Sequence, residues 1–266
     1  CRWLCIPNLL KGESFRREEE FKFIAKKLDH ELSQTDSPWI DPSIQHGMNS
    51  IPGTADIIYI PYLERMNASL AYYKGLKLRE EFPNIDRWFK SLEATDEYRG
   101  TQGDFHTHSH DLPPQMGGCY LEDNSSQREQ SKRIDSGEGL YEQETTFKES
   151  EETSSAAIAL ERVLKHRERI KAKNILKADF FDQPLRATLT SMLFKKPAKP
   201  LNGSAIGLRY LRDRVSVPRD MPLLAAREFR QALEATAELD GPDIGPAIPI
   251  RNRFDQNPVD FFNSTN

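Results

Sequence analysis

Between Asp104 and Asp111 the chain reads Phe105-His-Thr-His-Ser-His110, three imidazoles at every second position between two carboxylates. Imidazole nitrogens and carboxylate oxygens are the donor set of zinc and other transition-metal sites. In an extended segment alternate side chains share one side, so this spacing would bring all three rings together on a strand. On a surface loop the same rings would hydrogen-bond to backbone or water. No cysteine spacing or general base nearby completes a metalloenzyme pattern, so no metal ligand is assigned. Of the three cysteines, Cys1 and Cys5 lie ahead of Pro7 and Cys119 is remote. Three residues separate Cys1 from Cys5, which is not a redox-pair spacing, and no strand leads into them. No catalytic residue is assigned.

Charge points the same way. The net charge of −4 over 266 residues argues against bulk attraction to nucleic acid or an anionic membrane. Residues 154–230 are basic, with seventeen Lys/Arg against seven Asp/Glu, and arginines such as Arg209, Arg212, Arg214 and Arg230 could line an anion site. Acids are too closely interleaved for a phosphate groove; helical faces with pairs such as Arg209 with Asp213 are the plainer expectation. Nucleic acid and membrane are therefore not expected partners, and no apolar run approaches the ~20 residues of a membrane helix. An odd, small cysteine count implies a reducing compartment. The Asn-x-Ser/Thr triplets at Asn67, Asn124, Asn202 and Asn263 then carry no glycan. A chain that opens on Cys1 rather than Met is expected to be a fragment or a trimmed product.

The elements that must position these groups read as helices. Ser14 is a good N-cap, followed by Phe15, Phe21, Ile24, Leu28 and Leu32 at helical spacing with Glu18, Glu19 and Glu20 in the early turns. A Pro-, Asp-, Ser- and Gly-rich loop over 33–53 holds Trp39. Gly53-Thr-Ala-Asp56 then opens a core helix over 54–73. Asp56 lies three residues after Gly53, so its carboxylate can reach back to the unbonded N–H groups of a helix start. Pro61 should kink this helix and Gly75 should end it. Asn84 is expected to cap a helix that stacks Ile85, Trp88, Phe89 and Leu92, and a short turn follows over 95–99.

No stretch alternates as a strand does, so the fold class is all-α. Residues 1–119 make the first unit. Residues 120–153, with ten Asp/Glu against four Lys/Arg, read as a disordered acidic linker. A helical extension follows over 154–240, with helices at 154–173, 182–194, 204–215 and 222–239. An extended Pro- and Gly-punctuated tail closes the chain at 241–266.

The Gly53–Arg65 segment, Leu28-Asp-His-Glu-Leu32, Tyr72-Tyr-Lys-Gly75 and Phe82-Pro-Asn-Ile-Asp-Arg-Trp88 together resemble the glutathione transferase C-terminal domain, over residues 14–100. Two further stretches, Thr107-His-Ser-His-Asp-Leu-Pro-Pro-Gln115 and the run from Leu208 to Met221, are similar to a plastid-associated group of glutathione-transferase-like proteins of plants and algae. The resemblance implies a helical bundle that shapes a hydrophobic co-substrate pocket. Trp39, Tyr59, Tyr62 and Arg65 are then candidate lining residues by position, and Asp56 is the structural cap. It also implies glutathione as co-substrate, a small hydrophobic electrophile or a disulfide as reaction partner, a possible homodimer, and a chloroplast location. The family's activating thioredoxin-like half has no counterpart in the residues before 14. Gly53 departs from the family too, standing where a capping hydroxyl is usual. A non-enzymatic helical scaffold derived from the same fold is the alternative expectation.

Overall fold

A computed structural model describes residues 1–7, 10, 12–41, 51–135 and 154–242. Among the described residues there are twelve helices and no strand, so the all-α class holds there. No helix among them is long and apolar enough to cross a membrane. The chain divides into two compact units, one comprising Cys1–Thr101 with His108–Ser131, the other Gln102–Thr107 with the described part of Lys132–Ile250.

The first unit contains α1 (Arg2–Cys5), α2 (Glu13–Ser33), α3 (Thr54–Lys74), α4 (Leu78–Glu81), α5 (Pro83–Glu93), α6 (Asp96–Thr101), most of α7 (Phe105–Met116) and most of α8 (Ser125–Asp135). Its core is built on α5, where Ile85, Trp88, Phe89 and Leu92 are all buried on the face their spacing marks out. Each such side chain, fully withdrawn from water, contributes about 1.5–3 kcal/mol. The packing partners of α5 are α2, α4 and α6.

Asp56 fixes the start of α3. It is fully buried, and its Oδ2 accepts the Gly53 N–H at 2.8 Å, the cap expected from the three-residue spacing. Its Oδ1 accepts two more bonds, from the Ile40 N–H at 2.8 Å and from the Trp88 indole Nε1–H at 2.7 Å. One carboxylate thus joins the segment before α3, the first turn of α3 and the middle of α5. The helix continues through Pro61 to Lys74. It stops at Gly75, which has φ +72°, and a Cβ there would lie 2.5 Å from the Gln127 backbone nitrogen, so only glycine allows α8 this close.

Other caps differ from expectation. Ser14 lies one residue inside α2, whose N-cap is Gly12. Asn84 lies inside α5, which opens on Phe82 and Pro83. The unbonded N–H groups of Asn84 and Ile85 instead meet the Asp29 carboxylate of α2, at 2.8 and 3.0 Å. The linker assignment needs correction as well. Residues 120–135 are ordered, with Tyr120 N–H bonded to Leu4 O, Glu122 N–H to Tyr73 O, and α8 following. Gln127 is buried and donates to Tyr72 O at 2.8 Å. Residues 136–153 lie outside the described residues, as does the tail beyond 242.

The second unit is organised by α9 (Ser155–Lys173), α10 (Ala178–Phe194), α11 (Ala205–Arg212) and α12 (Leu223–Glu238). Ser154 caps α9 by accepting the Ala157 N–H at 3.2 Å. Helix α12 touches each of the other three. Its Ala226, Phe229, Leu233 and Ala237 face Val163, Phe181, Leu185 and Leu208 in one apolar cluster. The inward face of α9 is Ala156, Ala159 and Val163, while Leu164 is half exposed. Arg230 of α12 is 1% exposed and forms an ion pair with Asp104, while also donating to Val215 O. Asp104 in turn accepts the Thr107 N–H at 2.8 Å and so caps the start of α7. Burial pushes the Asp104 carboxyl up, but the Arg230 charge beside it outweighs that and holds it well below the usual carboxylate range.

Two stability predictions follow from these carboxylates. Asp56→Ala strands three buried donors and is expected to cost about 3–5 kcal/mol, at roughly 1–3 kcal/mol per unsatisfied group, with Asp56→Asn milder. Urea denaturation followed by tryptophan fluorescence measures it, and a loss below ~1 kcal/mol for the alanine variant contradicts the arrangement. Asp104→Asn leaves Arg230 buried without its counter-ion and is expected to cost about 3–5 kcal/mol at neutral pH. A carboxylate with a depressed folded value stabilises above its unfolded value of about 3.9 and loses that contribution as pH falls further. The gap between parent and Asp104→Asn midpoints should therefore be full at pH 6–7 and narrow steadily below about pH 4.

Candidate functional site

In the first unit, α2 and α3 border an apolar cavity of about 420 Å³, within the range of small-molecule pockets. From α2 come Phe21, Ile24, Ala25 and Leu28, with Arg17, Glu20, Lys27 and Glu31 at the same helical spacing adding charge at the edges. From α3 come Tyr59, Leu63 and Met66, spaced four and then three residues apart so that they stack on one face. Leu78 and Ile85 close the inner side, and Trp3 of α1 forms an end wall beside Arg2 and Cys1.

The end wall is held by half-buried polar groups and one buried lysine. The Trp3 indole donates to Ser14 Oγ at 3.0 Å, and Ser14 donates to the Glu122 carboxylate at 2.7 Å. The Lys74 ammonium, its side chain wholly enclosed, pairs with Glu122 at 3.0 Å and lies 5.3 Å from the Trp3 ring centroid. Burial raises the Glu122 carboxyl, but the bonds from Ser14 and Lys74 prevail and hold it below its ordinary value. On the α2 side, Arg17 Nη1 donates to Ile6 O and Pro7 O at 2.9 and 3.0 Å, clamping the segment after α1. The cavity therefore has rigid polar supports behind an apolar lining.

Of the four residues singled out by position, Tyr59 lines the cavity and the other three do not. Tyr62 is 62% exposed and Arg65 is also exposed. At 3.6 residues per turn they project about 60° and 120° away from Tyr59 around the helix axis. Trp39 is buried beside Ile40, whose N–H meets Asp56, and is not among the lining residues. The sequence reading did not assign Leu63, Met66, Phe21, Ile24 or Leu28 to a site. Their signal was present as the i, i+3, i+4 pattern, which marks a face without saying whether core or cavity lies beyond it.

The histidine cluster adopts a geometry other than the strand considered above. His106, His108 and His110 lie on α7, so His108 projects away from the side on which the other two stack. His108 Nε2 lies 3.6 Å from Glu64, and Glu64 also accepts the Tyr98 hydroxyl at 2.7 Å. His110 packs edge-on against the Tyr72 ring at 5.0 Å between centroids. In the second unit His106 lies 3.8 Å from Asp213.

The basic residues of the second unit are largely paired with acids. Arg209 is bidentate to Glu234, not paired with Asp213 as its spacing suggested, and Arg212 shares the same carboxylate. Asp182 gathers Arg167, Lys171 and Arg186. No protein-family model, curated protein or solved structure matches the chain.

Proposed function

We propose that this chain is the helical part of a glutathione-transferase-like protein, and that the cavity between α2 and α3 holds its hydrophobic co-substrate. The observation carrying the reading is an apolar cavity bordered by α2 and α3, within the residues 14–100 that carry the resemblance, with Tyr59 in its wall. In such a protein a glutathione thiolate attacks an electrophilic carbon, forming a carbon–sulfur bond as the leaving group departs, or opens a mixed disulfide. The role of these helices is to bind and orient the apolar reactant, not to activate the thiol. The location this reading carries is the chloroplast.

A second reading, a non-enzymatic interaction module on the same fold, is favoured by a different observation. Ile57, Ile58, Pro61 and Tyr62 form a continuous exposed face on α3; Ile57, Ile58 and Tyr62 are each more than half exposed. A homodimer would bury it.

Binding to the full chain separates the two. 1-Anilinonaphthalene-8-sulfonate probes the cavity alone, and S-hexylglutathione adds the glutathione moiety to an apolar tail. Leu63→Trp, which fills the cavity, and Tyr59→Ala are expected to weaken both by about tenfold, equivalent to ~1.4 kcal/mol. Tyr62→Ala should leave both unchanged. Binding of dye and S-hexylglutathione that Leu63→Trp and Tyr59→Ala both leave unchanged would remove the cavity as the co-substrate site. Concentration-dependent mass by light scattering that collapses in Ile58→Asp, with neither ligand bound, would establish the interaction module instead.

A further inference from the structure

Cys5 and Cys119, 114 residues apart in sequence, lie with their sulfurs 4.0 Å from one another in the first unit. They are not joined by a disulfide. Local backbone features hold them there. Helix α7 ends at Met116, and Gly117 and Gly118 follow with φ of +76° and +145°, values that L side chains rarely adopt. This turn brings Cys119 back against α1, where the next residue, Tyr120, donates its N–H to Leu4 O at 3.0 Å. Two residues later Glu122 N–H bonds to Tyr73 O at 2.9 Å, and the Glu122 side chain grips Lys74. Cys119 is thus anchored from its C-terminal side to both α1 and α3. A disulfide needs the sulfurs at about 2.05 Å, so closure requires an approach of about half the present gap.

The two thiols are not equivalent. Cys119 is 1% exposed, whereas Cys5 is only partly covered and open to a small reactant. Sulfur–sulfur hydrogen bonding from Cys119 lowers the Cys5 thiol to about 7 against the opposing effect of burial, with the positive charges of the N-terminal amine and, less, of Lys74 helping. Accessibility, anionic character and a second sulfur behind it are the arrangement of an attacking and a resolving thiol.

We propose that Cys5 and Cys119 form a redox-active dithiol whose oxidant is a small disulfide. This site stands apart from the α2–α3 cavity and does not rest on its ligand. The Cys5 thiolate attacks one sulfur of the incoming disulfide, whose S–S bond breaks. A mixed disulfide forms on Cys5 and one small thiolate leaves. Cys119 then gives up its proton and attacks the Cys5 sulfur, expelling the second small thiolate. The two protein thiols are oxidised by two electrons, the small disulfide is reduced by two, and the two protein S–H protons end on the released thiols.

The test uses the full chain with bis(2-hydroxyethyl) disulfide as probe, quenched by alkylation and mapped by peptide mass. The expected product is a Cys5–Cys119 disulfide, two hydrogen masses lighter than the reduced pair. In Cys119→Ser the probe should remain on Cys5 as a mixed disulfide. Without any substitution, iodoacetamide should label Cys5 about tenfold faster than Cys119 at pH 7, with a rate that rises with pH and levels off above about 7. A parent chain that stops at a mixed disulfide on Cys5, or that pairs either cysteine with Cys1, overturns the proposal. So does a Cys5 labelling profile centred near the ordinary thiol value of about 8.5.

Discussion

A desolvated carboxylate is stable only where fixed donors replace the water it has lost, and that requirement at Asp56 shapes the first unit. Three donors from three separate parts of the chain converge on it, at Gly53, Ile40 and Trp88. Each must be in place for the others to be tolerable, because any vacancy leaves a buried charge under-solvated. The consequence is directional. With its first turn tied to the indole in the middle of α5, α3 has little freedom to rotate about its own axis. The faces it presents are then set: Tyr59, Leu63 and Met66 toward α2, and Ile57, Ile58 and Tyr62 toward solvent. Asp29 does the corresponding work for α5, capping it from α2. Two carboxylates borrowed across sequence therefore fix the three helices around the cavity.

What the sequence made legible follows from range. The Gly53-to-Asp56 spacing is local, and so the cap and the helix were readable; the buried face of α5 was readable because its period is 3.6. The cap on α5 was not. Asn84 is the right residue type in the right place, and only the fold brings Asp29, 55 residues away, to the N–H groups that Asn84 was expected to serve. Segment 120–135 was misread because composition counts charges without asking where they lie. Its polar residues include the acid Glu122 and the amide Gln127, both of which bond to α3. The histidines show the limit of a two-residue period: His-x-His-x-His is the same string on a strand and on α7, and the flanking Asp104 cap decides for helix. At the cavity, Tyr59 lies in the lining while Tyr62 and Arg65 turn away from it around the axis of α3, since proximity in sequence does not imply a shared face.

The second unit solves a related problem with the opposite sign. Arg230 emerges from the middle of α12, among Ala226, Phe229 and Leu233, where an aliphatic side chain would cost nothing in desolvation. Replacing buried ion pairs by apolar residues is often neutral or stabilising, so stability alone does not account for Arg230. Its bonds go to Asp104, 126 residues away, and to Val215 O, 15 residues away in the segment that leads into α12. An apolar contact would accept many registers between these segments, whereas a buried guanidinium with directional donors accepts few. The pair thus acts on register: it holds the cap of α7 and the chain after α11 in one alignment with α12. The Thr107 hydroxyl, which accepts the Val217 N–H at 2.9 Å, reinforces the same alignment.

Lys74 connects the cavity wall to the thiols. It is the last residue of α3, and its enclosed ammonium lies near Trp3, which closes the cavity, and contributes to the field at Cys5. The Asp56 constraint at one end of α3 thereby determines where a cation sits eighteen residues further along. Glu122, with its carboxyl kept anionic, neutralises that cation at 3.0 Å and so limits how far Lys74 can favour a thiolate. Sulfur–sulfur hydrogen bonding is the leading influence on Cys5, ahead of the charges of the N-terminal amine and of Lys74. A bare buried lysine would lower the thiol more strongly but would itself be driven to lose its proton. Glu122 gives the Lys74 ammonium an anionic partner, and the second sulfur acts on Cys5 beside it. The thiol pair is in this sense a consequence of how α3 ends, as the cavity is a consequence of how it begins.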